Sequence, residues 1–325
     1  MATVVFGGAG FVGLNLIEAL LLKGKHVRCV DKTALPAAAE AAFSQLPGTL
    51  EMVTCDVTIP ADVAHTLQGA TDVFYGAAVT AGDARDSQMP ETVLDVNLMG
   101  LLTVLRQARD HNVRRLINLS STAAYGASAF GPDVLTEDLP AEPSTLYAVT
   151  KFASERVTSR MASLWSLDAV SVRLSGVFGR WERQTDVRDT PSPQHQLISA
   201  AQSGTPVVLS RRDARDWTYA TDIAHALVGL MDAERLNHSL YNVSCGVSSS
   251  VLDFGEALKT QFEGFQCRTA TPSEEPTINL YGMQERGILS IERLKEDTGF
   301  TPEFDVDNAA KDYVSWLAGP GATYP

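Results

Sequence analysis

Thr3-Val4-Val5-Phe6-Gly7-Gly8-Ala9-Gly10-Phe11-Val12-Gly13 is the stretch on which the fold turns. Thr3–Phe6 is β-branched and aromatic, the make-up of a buried strand. From Phe11 to Lys23 the apolar residues Leu14, Ile17, Leu20 and Leu21 recur at helical spacing. Between strand and helix, Gly8, Gly10 and Gly13 satisfy G-x-G-x-x-G, and Gly7, Gly10 and Gly13 satisfy G-x-x-G-x-x-G. Glycines there allow a tight turn, a close backbone approach to a pyrophosphate and close packing of helix on strand. The helix N-terminus then offers free N–H groups and a positive dipole end to phosphate. His26–Val30 reads as the next strand, and Asp31 closes it 18 residues beyond Gly13. A carboxylate at that place accepts hydrogen bonds from the adenosine ribose hydroxyls and repels a 2′-phosphate, so the pattern favours NAD over NADP, with Lys32 opposing in part.

Outward from this unit the alternation continues. Leu50–Cys55, Asp72–Tyr75, Leu116–Leu119 and Ala169–Leu174 read as strands. Pro90 to Arg109 reads as one long amphipathic helix, and Tyr147 to Ser163 as another. Strand–helix alternation means parallel βαβ units with helices on both faces. The expected fold is therefore α/β, a doubly wound parallel sheet (Rossmann) with a smaller C-terminal α/β substrate domain. After Val177 the rhythm breaks. Gly179–Pro193 and Thr271–Gly287 read as irregular loops, while Thr221–Met231 and Val251–Phe262 read as helices. The expected division is residues 1–175 for the cofactor, with 216–243 returning to that domain, and 176–215 plus 244–325 for the substrate.

Composition narrows the partners. The 325 residues carry 26 Lys+Arg against 39 Asp+Glu, a net charge of −13. So acidic a surface argues against nucleic acid and anionic membranes, yet local arginines can still take an anionic small molecule. Cys29, Cys55, Cys245 and Cys267 form no C-x-x-C pair and lie at no zinc-finger spacing from histidine, so no metal site is expected. The chain starts directly on a strand, without a signal-peptide pattern, and has no run of about 18 apolar residues. A cytoplasmic location is the expectation.

Tyr147 and Lys151 stand four apart on a predicted helix and so share a face. A neighbouring ammonium and a positive nicotinamide ring both stabilise a phenolate, which can then take a proton from an alcohol as hydride leaves. Ser120-Ser121-Thr122 follows the strand Leu116–Leu119, at the carboxyl end of the sheet where ligands bind. A hydroxyl there can orient the reacting oxygen, or make local turn hydrogen bonds.

Taken together, these features resemble the extended short-chain dehydrogenases/reductases, the NAD-dependent sugar epimerase/dehydratase group. The resemblance rests on Gly7–Gly13, Asp56-Val57, Gly76-Ala77-Ala78, Val96-Asn97, Ser120–Gly126, Tyr147–Lys151, Arg215–Ala224, and the tail from Arg293-Leu294 to Gly299–Pro302. It implies Ser121 as the catalytic hydroxyl, with Thr122 the fallback, Tyr147 as the base and Lys151 on the nicotinamide ribose. It implies that Gly7, Gly10, Phe11, Val12, Gly13, Asp31 and Lys32 hold NAD, with Asp56 and Val57 at the adenine. Gly76, Ala77, Ala78 and Thr80 would pass behind the cofactor, with Leu119 and Ser120 beside it, Asn97 in support and Ser175 at the nicotinamide end. A homodimer through the two long helices is also implied.

Two departures bear on substrate. The catalytic hydroxyl is followed by Thr122-Ala123, where family dehydratases carry Asp-Glu, which argues against dehydration. Many nucleotide-sugar enzymes carry Asn in an R-x-x-N-x-x-G-P run, whereas Arg173–Arg180 has Gly176 in the Asn position. Arg215 stands where those enzymes bind phosphate, and a carboxylate could use the same guanidinium, unless Arg215 is tied up in a pair with Asp216. Arg180, Arg183 and Arg188 could cap an anionic substrate. Substrate contacts are thus expected from Thr80, Ser121, Thr122, Arg183 and Arg215. The expected activity is NAD-dependent oxidation of a secondary alcohol on a sugar or sugar acid. The alternatives are a nucleotide-sugar 4-epimerase, in which the oxidised substrate is retained and reduced on its other face, and a non-catalytic dinucleotide sensor, which would be expected to lack Tyr147 or Lys151.

Overall fold

The computed structural model describes all residues except 81, 185–189, 281, 283 and 325. Its centre is a seven-stranded parallel sheet. The strands are β1 (Ala2–Phe6), β2 (His26–Asp31), β3 (Thr49–Thr54), β4 (Ala70–Tyr75), β5 (Arg115–Ser121), β6 (Ala169–Leu174) and β7 (Leu240–Val243). In space they run β7-β6-β5-β4-β1-β2-β3. The order reverses between β1 and β4, and a ligand crevice opens at such a switch point, beyond the carboxyl ends of the strands.

Every residue of β1 is buried, because helices cover both faces of the sheet. Successive side chains serve opposite layers. Val5 packs with Leu14, Leu16 and Ile17 of helix α1 (Phe11–Leu22). Val4 and Phe6 pack with Leu101, Val104 and Leu105 of helix α2 (Leu101–Asp110) on the other face. The long helix expected from Pro90 is not uniform: Pro90–Leu94 passes through a π-helical turn, Asp95–Gly100, before α2 begins. Tyr75 accounts for the local fit. Its hydroxyl donates to the Val96 carbonyl at 2.5 Å, and a Cβ on Gly100 would lie 2.6 Å from that hydroxyl.

Helix α3 (Leu146–Trp165) is capped by Thr145, whose hydroxyl accepts from the Ala148 N–H at 3.2 Å. It packs along β5 and β6. Helix α4 (Ala220–Asp232) lies on α1, and β7 pairs with β6 from Leu240↔Ser171 to Val243↔Leu174. The remaining segments build a second layer of structure over the crevice. Helices Pro193–Gln202, Val251–Lys259 and Val306–Ala318 pack with a short parallel pair, Val207–Leu209 and Cys267–Thr269. Ala214–Arg215 pairs antiparallel with Ser249–Ser250, and Val134–Leu135 pairs with Ile288–Leu289. Among the described residues no helix is long and apolar enough to cross a membrane.

Candidate active site

A cleft of about 1820 Å³ opens over the carboxyl ends of β1, β2, β4 and β5. Gly7, Gly10, Phe11, Val12 and Gly13 form its floor, with Asp31, Lys32, Asp56 and Val57 along one side. Gly76, Ala77, Ala78, Thr80, Leu119 and Ser120 follow, then Ser121, Thr122, Tyr147, Lys151 and Ser175, and finally Arg183 and Arg215. Asn97, by contrast, does not line it.

At Gly7 and Gly13 the turn leaves no room for a side chain. Gly7 has φ +75°, and a Cβ there would sit 2.7 Å from the Ala77 nitrogen. A Cβ on Gly13 would sit 2.3 Å from the Gly7 carbonyl oxygen. Gly10 is different: its Cβ would meet only the Gly7 oxygen, at 3.2 Å, and its chain is the N-cap of α1. That helix start has no capping side chain and no acidic residue in its first turn. Thr145, Ser192, Ser250 and Asp305 all cap their helices. The start of α1 carries no such cap, and a helix N-terminus of that kind favours a phosphate. Asp31 Oδ2 accepts from the Ala9 N–H at 3.2 Å and Oδ1 from the Thr33 N–H and hydroxyl at 3.0 Å, which fixes the carboxylate at the rim. Asp56 is held by Thr58, whose hydroxyl and N–H lower its pKa, with Lys32 adding a smaller effect.

Asn97 acts one step back. Its Oδ1 accepts from the Val79 N–H at 2.8 Å, and its Nδ2 donates to the Val79 carbonyl at 3.1 Å and to the Thr150 hydroxyl at 3.0 Å. It therefore locks the Gly76–Thr80 segment onto α3 beside Lys151. Ser120 lines the cleft, but its hydroxyl turns inward and donates to Glu155 at 2.6 Å. Ser175 is likewise tied to the Thr218 hydroxyl at 2.7 Å. Ser121 caps the short turn Thr122–Tyr125, accepting from the Ala123 N–H at 3.1 Å, so its own proton remains to be donated.

Lys151 is 6% exposed. Its Nζ donates to the Leu119 carbonyl at 2.7 Å and lies 5.7 Å from the centre of the Tyr147 ring. Burial pulls its pKa down to about 8, against an upward pull from Glu155.

The arginines follow the sequence expectation only in part. Arg180 is held by Asp312 and Glu18 and does not line the cleft, a structural tie. Arg188 lies outside the described residues. Arg211 pairs with Asp213 and Arg212 with Asp253, each at 2.6 Å. Arg215 does reach the cleft. Its ion partner is Asp213 at 2.6 Å rather than Asp216, and its guanidinium stacks 4.9 Å from the Trp217 ring centre. Arg183 lies over the Tyr324 ring at 5.7 Å. Arg286, which sequence reading missed, also lines the cleft. It pairs with the fully buried Asp216 at 2.7 Å, and its second terminal nitrogen is buried without a hydrogen-bond partner among the described residues. Its only sequence signal was a cation in the irregular stretch Thr271–Gly287. Gly176 is explained by packing: a Cβ there would sit 2.6 Å from the Trp217 ring.

The sequence profile of the NAD dependent epimerase/dehydratase family matches residues 3–244. The chain belongs to that family. A UDP-glucose 4-epimerase of Corynebacterium glutamicum is 26% identical, over 93% of this chain and 91% of its own. A probable UDP-glucuronate 4-epimerase of Rhizobium meliloti is 24% identical, over 97% and 96%. The crystal structure of a Bacillus cereus UDP-glucuronic acid 4-epimerase with UDP-glucuronic acid and NAD superposes with a TM-score of 0.80 at 19% identity, over 98% and 99% of the two chains. NAD is the family's cofactor, and the uncapped α1 terminus, the glycine floor and the Asp31 carboxylate fit its pyrophosphate and adenosine ribose.

Proposed function

We propose that this epimerase/dehydratase-family enzyme is a 4-epimerase of a UDP-hexose, UDP-glucose or UDP-glucuronate. The carrying observation is that one cleft joins Ser121, Tyr147 and Lys151 to three arginines, Arg183, Arg215 and Arg286. The 4-epimerase relatives, matched over nearly their whole length, support retention of the oxidised substrate over the release that net sugar oxidation requires. NAD bound at the glycine floor supplies a reversible hydride acceptor. Ser121 donates to the sugar hydroxyl and fixes its orientation. Tyr147 removes that hydroxyl's proton and later returns it, with the Lys151 ammonium favouring the phenolate. The arginines bind the diphosphate bidentately. With position 176 reduced to glycine beneath Trp217, Arg215 stacked on that indole supplies the contact. Residues 1–175 with 216–243 form the cofactor domain in this reading, and 176–215 with 244–325 the substrate domain. Two copies are proposed to pair through the helical stretch from Pro90 to Arg109 and through α3, where Met99 and Val149 are exposed.

The test incubates the purified protein with NAD and UDP-glucose, UDP-glucuronate, glucose or glucuronate. Conversion of one UDP-sugar into its C4 epimer without accumulation of NADH is expected. Stoichiometric NADH with a free sugar or sugar acid would restore the dehydrogenase reading. Tyr147→Phe is expected to lower turnover by about 10²–10⁴-fold, the worth of a positioned acid–base group.

A further inference from the structure

Behind Tyr147 and Lys151 lies a buried charged cluster that neither proton transfer nor substrate binding accounts for. Glu155 follows Lys151 by four residues, one turn along the same face of α3, and is 5% exposed. Its Oε1 accepts from the Ser120 hydroxyl at 2.6 Å and from Arg173 Nε at 2.9 Å, and its Oε2 from the second Arg173 nitrogen at 2.7 Å. Arg173 comes from β6, is 2% exposed, and stacks 4.2 Å from the Tyr125 ring centre. The Tyr125 hydroxyl is in turn hydrogen-bonded to Asn242 of β7 at 2.8 Å. Five elements thus hold one carboxylate and one guanidinium in fixed places.

Stability gives no strong reason for such a pair, since apolar residues of like volume often serve as well or better. Its electrostatic effect on a buried neighbour is another matter. Lys151 is faced by Tyr147 and Glu155 from its own helix and by the Leu119 carbonyl of β5. Arg173 and the Tyr125 ring stand behind Glu155. In so dry a site a carboxylate favours the ammonium, and a guanidinium bound to that carboxylate weakens its pull.

We propose that Glu155 and Arg173 are positioning residues that together set how firmly Lys151 holds its proton, Glu155 strengthening that hold and Arg173 restraining it. The proposal rests on the reading of Lys151 as the partner of Tyr147. Its first test does not depend on substrate. Lysine is labelled with ¹³C at Cε in the NAD-bound protein, and the Lys151 resonance, assigned by its loss in Lys151→Met, is followed against pH. The titration midpoint is expected to rise in the order Glu155→Gln, Glu155→Gln with Arg173→Met, wild type, Arg173→Met. The outer two should differ by about one pH unit or more. The double variant removes both charges, so it keeps the test open where a single variant fails to fold. Glu155→Asp should return the midpoint towards wild type. Midpoints that coincide in wild type, Glu155→Gln and Arg173→Met would overturn the proposal. If the midpoints move in this order but the alkaline limb of turnover does not follow them, the dyad stands and the role given to Lys151 in catalysis falls.

Discussion

Lys151 shows how one residue's environment becomes a rate. Its burial favours the neutral amine, and its pKa of about 8 lies below the ordinary lysine value. If the ammonium is what favours the Tyr147 phenolate, activity must decline as pH rises through that value. Turnover is therefore expected to fall with a midpoint near pH 8 on the alkaline side, read from the pH profile of kcat. The same burial acts on stability with the opposite sign. The unfolded chain holds this proton to higher pH than the folded one, so the cost of burying Lys151 is full below pH 8 and shrinks as pH climbs towards the unfolded value. We propose that Asp31 decides the nucleotide in the same local way, its carboxylate meeting the adenosine ribose. Asp31→Asn removes the charge that meets the ribose and repels a 2′-phosphate, while keeping an oxygen for Ala9 or Thr33. Affinity for NADH is expected to drop about 10-fold or more, as a charged hydrogen bond implies, and the preference over NADPH should narrow. Fluorescence titration with both nucleotides measures this.

At the scale of elements, the β1–α1 unit depends on contact closer than any Cβ permits. Gly13 brings the first turn of α1 against the Gly7 carbonyl, at a separation where an added methyl would stand 2.3 Å away. Gly13→Ala is expected to push the helix off the strand. It should destabilise the protein by about 1–3 kcal/mol, as overpacking does, and weaken nucleotide binding through the displaced N–H groups. Thermal unfolding with and without NAD separates the two effects, since a ligand that binds the native state raises Tm only where its site survives. The π-helical turn at Asp95–Gly100 belongs to the same scale. Apolar periodicity marks the helix from Pro90 onward, but a one-residue slip in its hydrogen bonding leaves no compositional trace. The contact that goes with it, Tyr75 against Gly100, joins residues distant in sequence.

Across the whole molecule, an acidic chain gathers a few cations where two layers of structure meet. Arg183, Arg215 and Arg286 come from separate segments and converge on one cleft. Arg286→Ala is expected to raise KM for a UDP-sugar about 10-fold or more while changing kcat little, because a diphosphate contact is the same in ground and transition states. Steady-state kinetics on wild type and variant would show it, and a loss confined to kcat would remove Arg286 from the diphosphate site. The cofactor half of this picture was legible from sequence alone. Strand, glycine turn, helix and Asp31 are local patterns, and strand–helix alternation leaves few ways to wind a parallel sheet. The Tyr147–Lys151 spacing is equally local, since i and i+4 share a helix face whatever surrounds them. Arg183 and Arg215 are expected at the substrate from sequence and both line the cleft; that Arg180 does not and that Arg286 does was not legible. Arg180 and Arg183 stand three apart in one loop, yet Asp312, 132 residues away, draws the first out of the cleft. Arg211, Arg212 and Arg215 are divided in the same manner by Asp213 and Asp253. An arginine's long stem reaches in several directions, and the carboxylate that selects one of them is brought there only by the folded chain.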